Sequence, residues 1–105
     1  MSVSDGAGTV NHDQAHHRFI VTDGDAVAEL TYRWNHERLV LVHTGVPPRL
    51  GGRGVGGRLV EAAVERAAAE GLTVVPLCPF ARRWLRERPD VAKTITIDWS
   101  TREDH

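Results

Sequence analysis

Between residues 51 and 57 the chain places five glycines in seven positions, Gly51-Gly52-Arg53-Gly54-Val55-Gly56-Gly57. So many residues without a Cβ are costly to order inside a strand or a helix, and they let the backbone approach a partner closely. Upstream, Arg38-Leu-Val-Leu-Val-His43 is a nearly continuous apolar run, suited to a strand covered on both faces. Downstream, Leu59, Ala63 and Ala67 recur every fourth residue with Val60, Val64 and Ala68 beside them, while Arg58, Glu61, Glu65 and Arg66 fall towards solvent. That spacing predicts an amphipathic helix from about Gly54 to Glu70, stopped by Gly71. A strand, a glycine loop and a helix in this order form a place to hold phosphate. Converging backbone N–H groups and the positive end of the helix dipole favour an anion there. Arg49, Arg53 and Arg58 lie in or beside the loop and are candidates to pair with further phosphates.

The flanking segments set the fold class. Arg18–Thr22 is a short apolar run, and Asp23-Gly24 is a hairpin signal. Ala26–Trp34 alternates, with Ala28, Leu30, Tyr32 and Trp34 on one face and Val27, Glu29, Thr31 and Arg33 on the other. Asn35-His36-Glu37 is a second turn, so three strands form an antiparallel meander. Pro47-Pro48 interrupts regular structure before the loop. After the long helix, Leu72–Cys78 reads as a buried strand, Pro79–Glu87 as a short helix with Phe80, Trp84 and Leu85 on its apolar stripe, and Thr94–Trp99 as a last strand. Pro89 is expected to end the short helix. Met1–His17 has no periodicity and reads as a mobile tail, residues 18–100 as one α/β domain with a mixed α+β sheet, and residues 101–105 as a C-terminal tail. The three tryptophans fall on apolar stripes and are expected in the core.

Several phosphate ligands can be set aside. Gly52 to Gly57 formally fits the dinucleotide pattern G-x-G-x-x-G. However, the nine residues from Thr44 to Gly52 are too long for that tight turn, and the next strand ends in Leu77-Cys78 with no acidic residue for a ribose hydroxyl. A chain of 105 residues with a preceding meander also leaves no room for a doubly wound sheet. No Gly-Lys-Ser/Thr is present for a nucleoside triphosphate loop. A formal net charge of -1 and a Glu among Arg82, Arg83, Arg86 and Arg88 argue against nucleic acid. No apolar run approaches the length of a membrane span. The N-terminus lacks a secretory h-region, and a single cysteine suits a reducing compartment, so a cytoplasmic protein is expected. His12, His16 and His17 lie in the expected tail and read as solvated, not as a metal site.

Gly54-Val55-Gly56 followed by a helix resembles the end of the acetyl-CoA motif of the Gcn5-related N-acetyltransferases, Q/R-x-x-G-x-G/A, with Gly51 standing at the first position. Val42-His43-Thr44-Gly45-Val46-Pro47, the loop, and Val75-Pro76-Leu77-Cys78-Pro79-Phe80 together resemble a minimal single-domain subfamily of that family, over roughly Phe19 to Asp90. The subfamily usually carries Glu where this chain has Gly45, and it lacks the helices that build the acceptor site of larger members. The resemblance implies a GNAT-like fold, with a meander, a β-α-β crossover and a short C-terminal helix. It also implies acetyl-CoA as cofactor, held by Val46, Gly51, Gly52, Arg53, Gly54, Val55, Gly56, Gly57, Arg58, Cys78, Pro79, Phe80, Arg82 and Arg83. The activity it implies is N-acetyl transfer to an amine, on a small molecule or a protein, by a monomer or weak homodimer. A non-catalytic coenzyme A-binding sensor or protein-interaction module is the alternative, favoured by Gly45 and by the missing acceptor lobe.

His43 and Cys78 end two strands joined by a helical crossover, which makes the strands parallel and brings both ends to the edge where the glycine loop begins. In the family these strands splay and the thioester arm lies between them. Two mechanisms are open. Cys78, just before a helix, could take the acetyl group covalently with His43 as base, or the amine could attack the thioester directly while His43 removes its proton. A lone cysteine in an apolar strand is also an ordinary small core residue, and a lone histidine can serve only to satisfy a backbone group.

Overall fold

The computed structural model describes residues 9–100. Among the described residues six strands form one sheet in strict chain order. β1 (Asn11–Asp13), β2 (Arg18–Asp23), β3 (Ala26–Asn35) and β4 (Arg38–Gly45) are antiparallel neighbours, and β5 (Thr73–Pro76) and β6 (Thr96–Ile97) continue parallel to β4. The connection from β4 to β5 carries α1 (Val55–Glu70), and the connection from β5 to β6 carries α2 (Pro79–Arg86) and α3 (Pro89–Ala92).

The core lies between the sheet and α1. Leu59, Val60, Ala63, Val64 and Ala67 of the helix meet Phe19, Val21, Ala28, Leu30, Tyr32, Leu39 and Leu41 of the strands. Leu59 and Leu30 are fully buried, and truncating such a side chain to Ala costs about 2–5 kcal/mol. Along β4 the consecutive residues Leu39, Val40 and Leu41 are all buried, as expected of a strand covered on both faces. Gly71 ends α1 in the left-handed conformation at φ 68, its N–H bonded to the Ala67 carbonyl.

The structure departs from the sequence reading in several places, one being that β5 spans Thr73–Pro76 and not Leu72–Cys78, so Cys78 lies beyond the strand. Residues 11–17, expected as part of a mobile tail, form β1 and a 3-10 turn, and Tyr32 N–H donates to the His17 carbonyl at 2.9 Å. The rest of that tail, residues 1–8, and the tail at residues 101–105 lie outside the described residues. The last strand is only two residues long, because Thr94 and Ile95 still follow the turn after α3. Pro89 does not merely end a helix; after α2 stops at Arg86 it opens α3. Two tryptophans expected in the core are exposed, Trp34 at 49% and Trp99 at 37%. Trp34 reaches past the sheet to donate to the His36 carbonyl in the β3–β4 turn, and Trp99 carries the guanidinium groups of Arg82 and Arg86 against its ring. Trp84 is half-buried and packs on the core.

β1 is held by His12, whose ring stacks on Phe19 at 4.3 Å and whose Nε2 meets the Tyr32 hydroxyl. His12 is therefore not simply solvated. Burial, with a smaller contribution from Arg66, holds its pKa below the ordinary 6.5. A histidine favoured neutral in the fold binds fewer protons folded than unfolded, so its contribution is present above pH 6.5 and is lost as pH falls through the lowered folded value. Asp13, lowered by hydrogen bonds from Arg18 and then His16, loses its contribution only at lower pH, below the ordinary 3.8. The protection of β1 amides, measured against their intrinsic exchange at each pH, should therefore fall as pH drops below 6.5 in the unsubstituted protein, and His12→Phe should flatten that dependence.

Candidate active site

β4 and β5 pair from Arg38↔Thr73 to Leu41↔Pro76, and there the ladder stops. The Leu41 carbonyl accepts N–H bonds from both Leu77 and Cys78, each at 3.0 Å, while β4 runs on to Gly45. The two strands thus part, as the family resemblance implies, and Val42–Gly45 border a gap on the side where β5 has turned away.

A bulge decides which side chains face where. Thr31 pairs with His43 but Tyr32 pairs with Leu41, leaving Val42 as the extra residue. Thr44 therefore shares a face with its partner Leu30, in the core, and its hydroxyl lies 3.2 Å from Cys78 Sγ. His43 lies on the opposite face beside Thr31 and is exposed. Cys78 is 4% exposed, belongs to the core cluster and occupies the N-cap position of α2. His43 and Cys78 come to the same edge, as expected of parallel strands, but the side chain that meets the sulfur is that of Thr44. The bulge, which carries no mark in the sequence, makes the difference between these neighbours.

The glycines divide into two groups. Gly52 and Gly54 adopt positive φ, 77 and 72, and a Cβ on either would meet nothing within 4 Å. Gly54 is the N-cap of α1 and has no side chain to bond the first-turn N–H groups. These two shape an open cradle at the helix N-terminus. Gly56 and Gly57 instead permit packing: a Cβ on Gly56 would stand 2.8 Å from Phe80 Cζ, and one on Gly57 would collide with Trp84 Nε1. α2 lies against α1 through these two contacts. Gly51 is extended, its N–H donated to the Pro48 carbonyl at 3.0 Å, and buried Leu50 beside it anchors the loop.

Val46, Leu50, Val55 and Phe80 join the glycines along one shallow groove that leads to the loop. Next to it, Gly54, Arg58, Phe80, Arg83, Trp84 and Arg88 line a wider cleft between α1, α2 and α3. The arginines separate accordingly. Arg58 and Arg83 border the cleft. Arg53 lies 3.5 Å from Asp23, and the Arg49 guanidinium lies over Gly24, so both lean towards the β2–β3 turn. Arg82 donates to the carbonyls of Pro76 at 3.2 Å and Trp99 at 2.9 Å and is engaged in holding the chain after β6. Pro79 is the exposed first residue of α2. Leu50, Trp84 and Arg88 line the groove or the cleft and Thr44 meets the sulfur, and the sequence reading left them out of the site. The one signal for Trp84 was its i+4 spacing from Phe80, which reads equally as core.

Residues 18–94 match the family described as GCN5-related N-acetyl-transferase. The chain belongs to that family. It is also similar to a GCN5-like protein from Staphylococcus aureus solved in solution, with 28% identity and a TM-score of 0.68 over 97% of this chain and 100% of that one. Family and fold make the chain an N-acetyltransferase domain with the mixed sheet of that class. Among the described residues no helix is long and apolar enough to cross a membrane, and no three His, Cys, Asp or Glu side chains group to hold a metal ion.

The division of the glycines has a direct consequence. Gly57→Ala should destabilise the protein by about 1–3 kcal/mol, because the new methyl must displace a packed indole. Thermal unfolding should show this loss for Gly57→Ala and recover much of it when Trp84→Leu is added.

Proposed function

We propose that this domain transfers the acetyl group of acetyl-CoA to a primary amine, with the cofactor in the groove between the parted ends of β4 and β5. The observation that carries the reading is the joint placement of the open glycine cradle, Gly52 and Gly54, with an apolar groove along the loop that begins at Val46, next to the end of β4. The residues fit the cofactor piece by piece. The cradle and the uncapped N-terminus of α1 suit a pyrophosphate, Arg58 and Arg83 suit its outer phosphates, and Val46, Leu50 and Phe80 suit an uncharged arm.

Acetyl-CoA supplies an acetyl group already activated as a thioester. On attack by the amine nitrogen at the thioester carbonyl, the C–S bond would break and coenzyme A would leave as its thiolate, and His43 would accept at Nε2 the proton that the nitrogen gives up. Direct attack is favoured over a covalent acetyl-cysteine by one observation: the base and the thiol lie on opposite faces of β4, and the Cys78 sulfur is buried against Thr44. Cys78 then serves as a small core residue at the start of α2, next to the groove wall formed by Phe80.

Calorimetric titration with acetyl-CoA, with NADH as control, tests the cofactor. Micromolar binding is expected for acetyl-CoA alone, weakened about tenfold or more by Gly54→Val, where the φ of 72 and the open space place any side chain in the cradle. Gly56→Val does not serve this purpose, because it strikes Phe80 first. Absence of acetyl-CoA binding refutes the reading, and binding without turnover of any amine favours the non-catalytic module. Cys78→Ser should retain transfer within about threefold, whereas a covalent route requires its loss.

A further inference from the structure

Gly45 ends β4 two residues beyond His43, on the same face, paired with Glu29. Its backbone is outside the left-handed region, so nothing in the main chain calls for a glycine. What the missing side chain leaves is room. A Cβ built on Gly45 would stand 3.3 Å from His43 Nε2 and 3.9 Å from its Cδ2. The imidazole is therefore folded along the strand over Gly45, with Nε2 leading. The shorter separation is tighter than an ordinary contact, so a side chain at this place makes the ring give by a few tenths of an ångström.

The direction of that fold has chemical meaning, because Val42–Gly45 is the part of β4 that continues after the ladder with β5 has ended. The ring lies over the backbone that borders the gap. Glu29, directly across the ladder, is drawn to Arg18 Nη1 at 2.9 Å, so the neighbouring strand adds a charge already engaged by a cation. A general base must come within about 2.6–3.2 Å of the proton it takes, and a misplacement of about 1 Å costs on the order of 100-fold in rate. Ring placement is thus a quantity the site must control, and the residue that controls it here is one without a side chain.

We infer that Gly45 is a positioning residue for His43: by leaving its Cβ place empty it holds Nε2 over the mouth of the gap, where the acceptor amine gives up its proton. This rests on the reading of His43 as the base of acetyl-CoA-dependent transfer.

The test uses the full chain with Gly45→Ala, Gly45→Val, His43→Ala and the His43→Ala/Gly45→Ala pair. Carbon–proton spectra of the imidazoles, calorimetry with acetyl-CoA, and release of coenzyme A with cadaverine as probe amine are measured. In Gly45→Ala the His43 ring resonances should move while those of His12 and His36 stay. Acetyl-CoA affinity should change less than about twofold, and transfer should fall about threefold for Ala and further for Val. In the His43→Ala background, Gly45→Ala should cost nothing more. His43 resonances that do not move, or an equal loss with and without the imidazole, overturn the inference. If the unsubstituted protein binds no acetyl-CoA, the transferase reading fails by itself, and the ring resonances still decide whether Gly45 sets the position of His43.

Discussion

The whole arrangement hangs on one carbonyl. Leu41 O receives N–H bonds from both Leu77 and Cys78, and beyond it β4 and β5 share no ladder. A parallel ladder needs evenly spaced bonds, and here Pro76 removes a donor just where pairing stops. β5 turns off into α2 at Pro79, while β4 continues alone to Gly45. The gap between the strand ends is thus built from backbone alone. The bulge at Val42 then distributes the side chains around it, Thr44 inward to Cys78 and His43 outward.

The second constraint is the close approach of two helices. Phe80 and Trp84, four residues apart on α2, rest on Gly56 and Gly57 of α1. Small residues on one helix and aromatic rings on the other let the axes come near and bury the rings against backbone. That contact also fixes Phe80 as a wall of the groove and brings Arg83 to the cleft beside the loop. Packing and ligand shape are thus linked: the glycines that seat the aromatic rings adjoin those that leave the cradle open.

Much of this was legible in the chain. The meander, the long helix and its Gly71 stop follow from hydrophobic period and from the few residues that tolerate positive φ. The loop was legible because so dense a run of glycines suits neither a strand nor a helix interior. Less legible was Asn11–His17, whose polar composition hides the fact that a single stacked histidine can dock a three-residue strand. The tryptophans misled for a related reason. Spacing says which stripe a residue belongs to, but Trp34, next to the β3–β4 turn, stays half exposed and donates to the His36 carbonyl.

The sequence by itself determined that strand, glycine loop and helix follow one another, that the elements make a mixed α/β unit, and that His43 and Cys78 come to one edge of the sheet. These are matters of hydrophobic period, backbone freedom and the handedness of a strand–helix–strand crossover. Only the tertiary structure decided which glycines open a cradle and which seat an aromatic ring, since the difference lies in what stands opposite. Only it decided that Thr44 touches the cysteine while His43 faces away. A one-residue bulge reverses the faces of every side chain after it, and the register of a distant strand sets where that bulge falls.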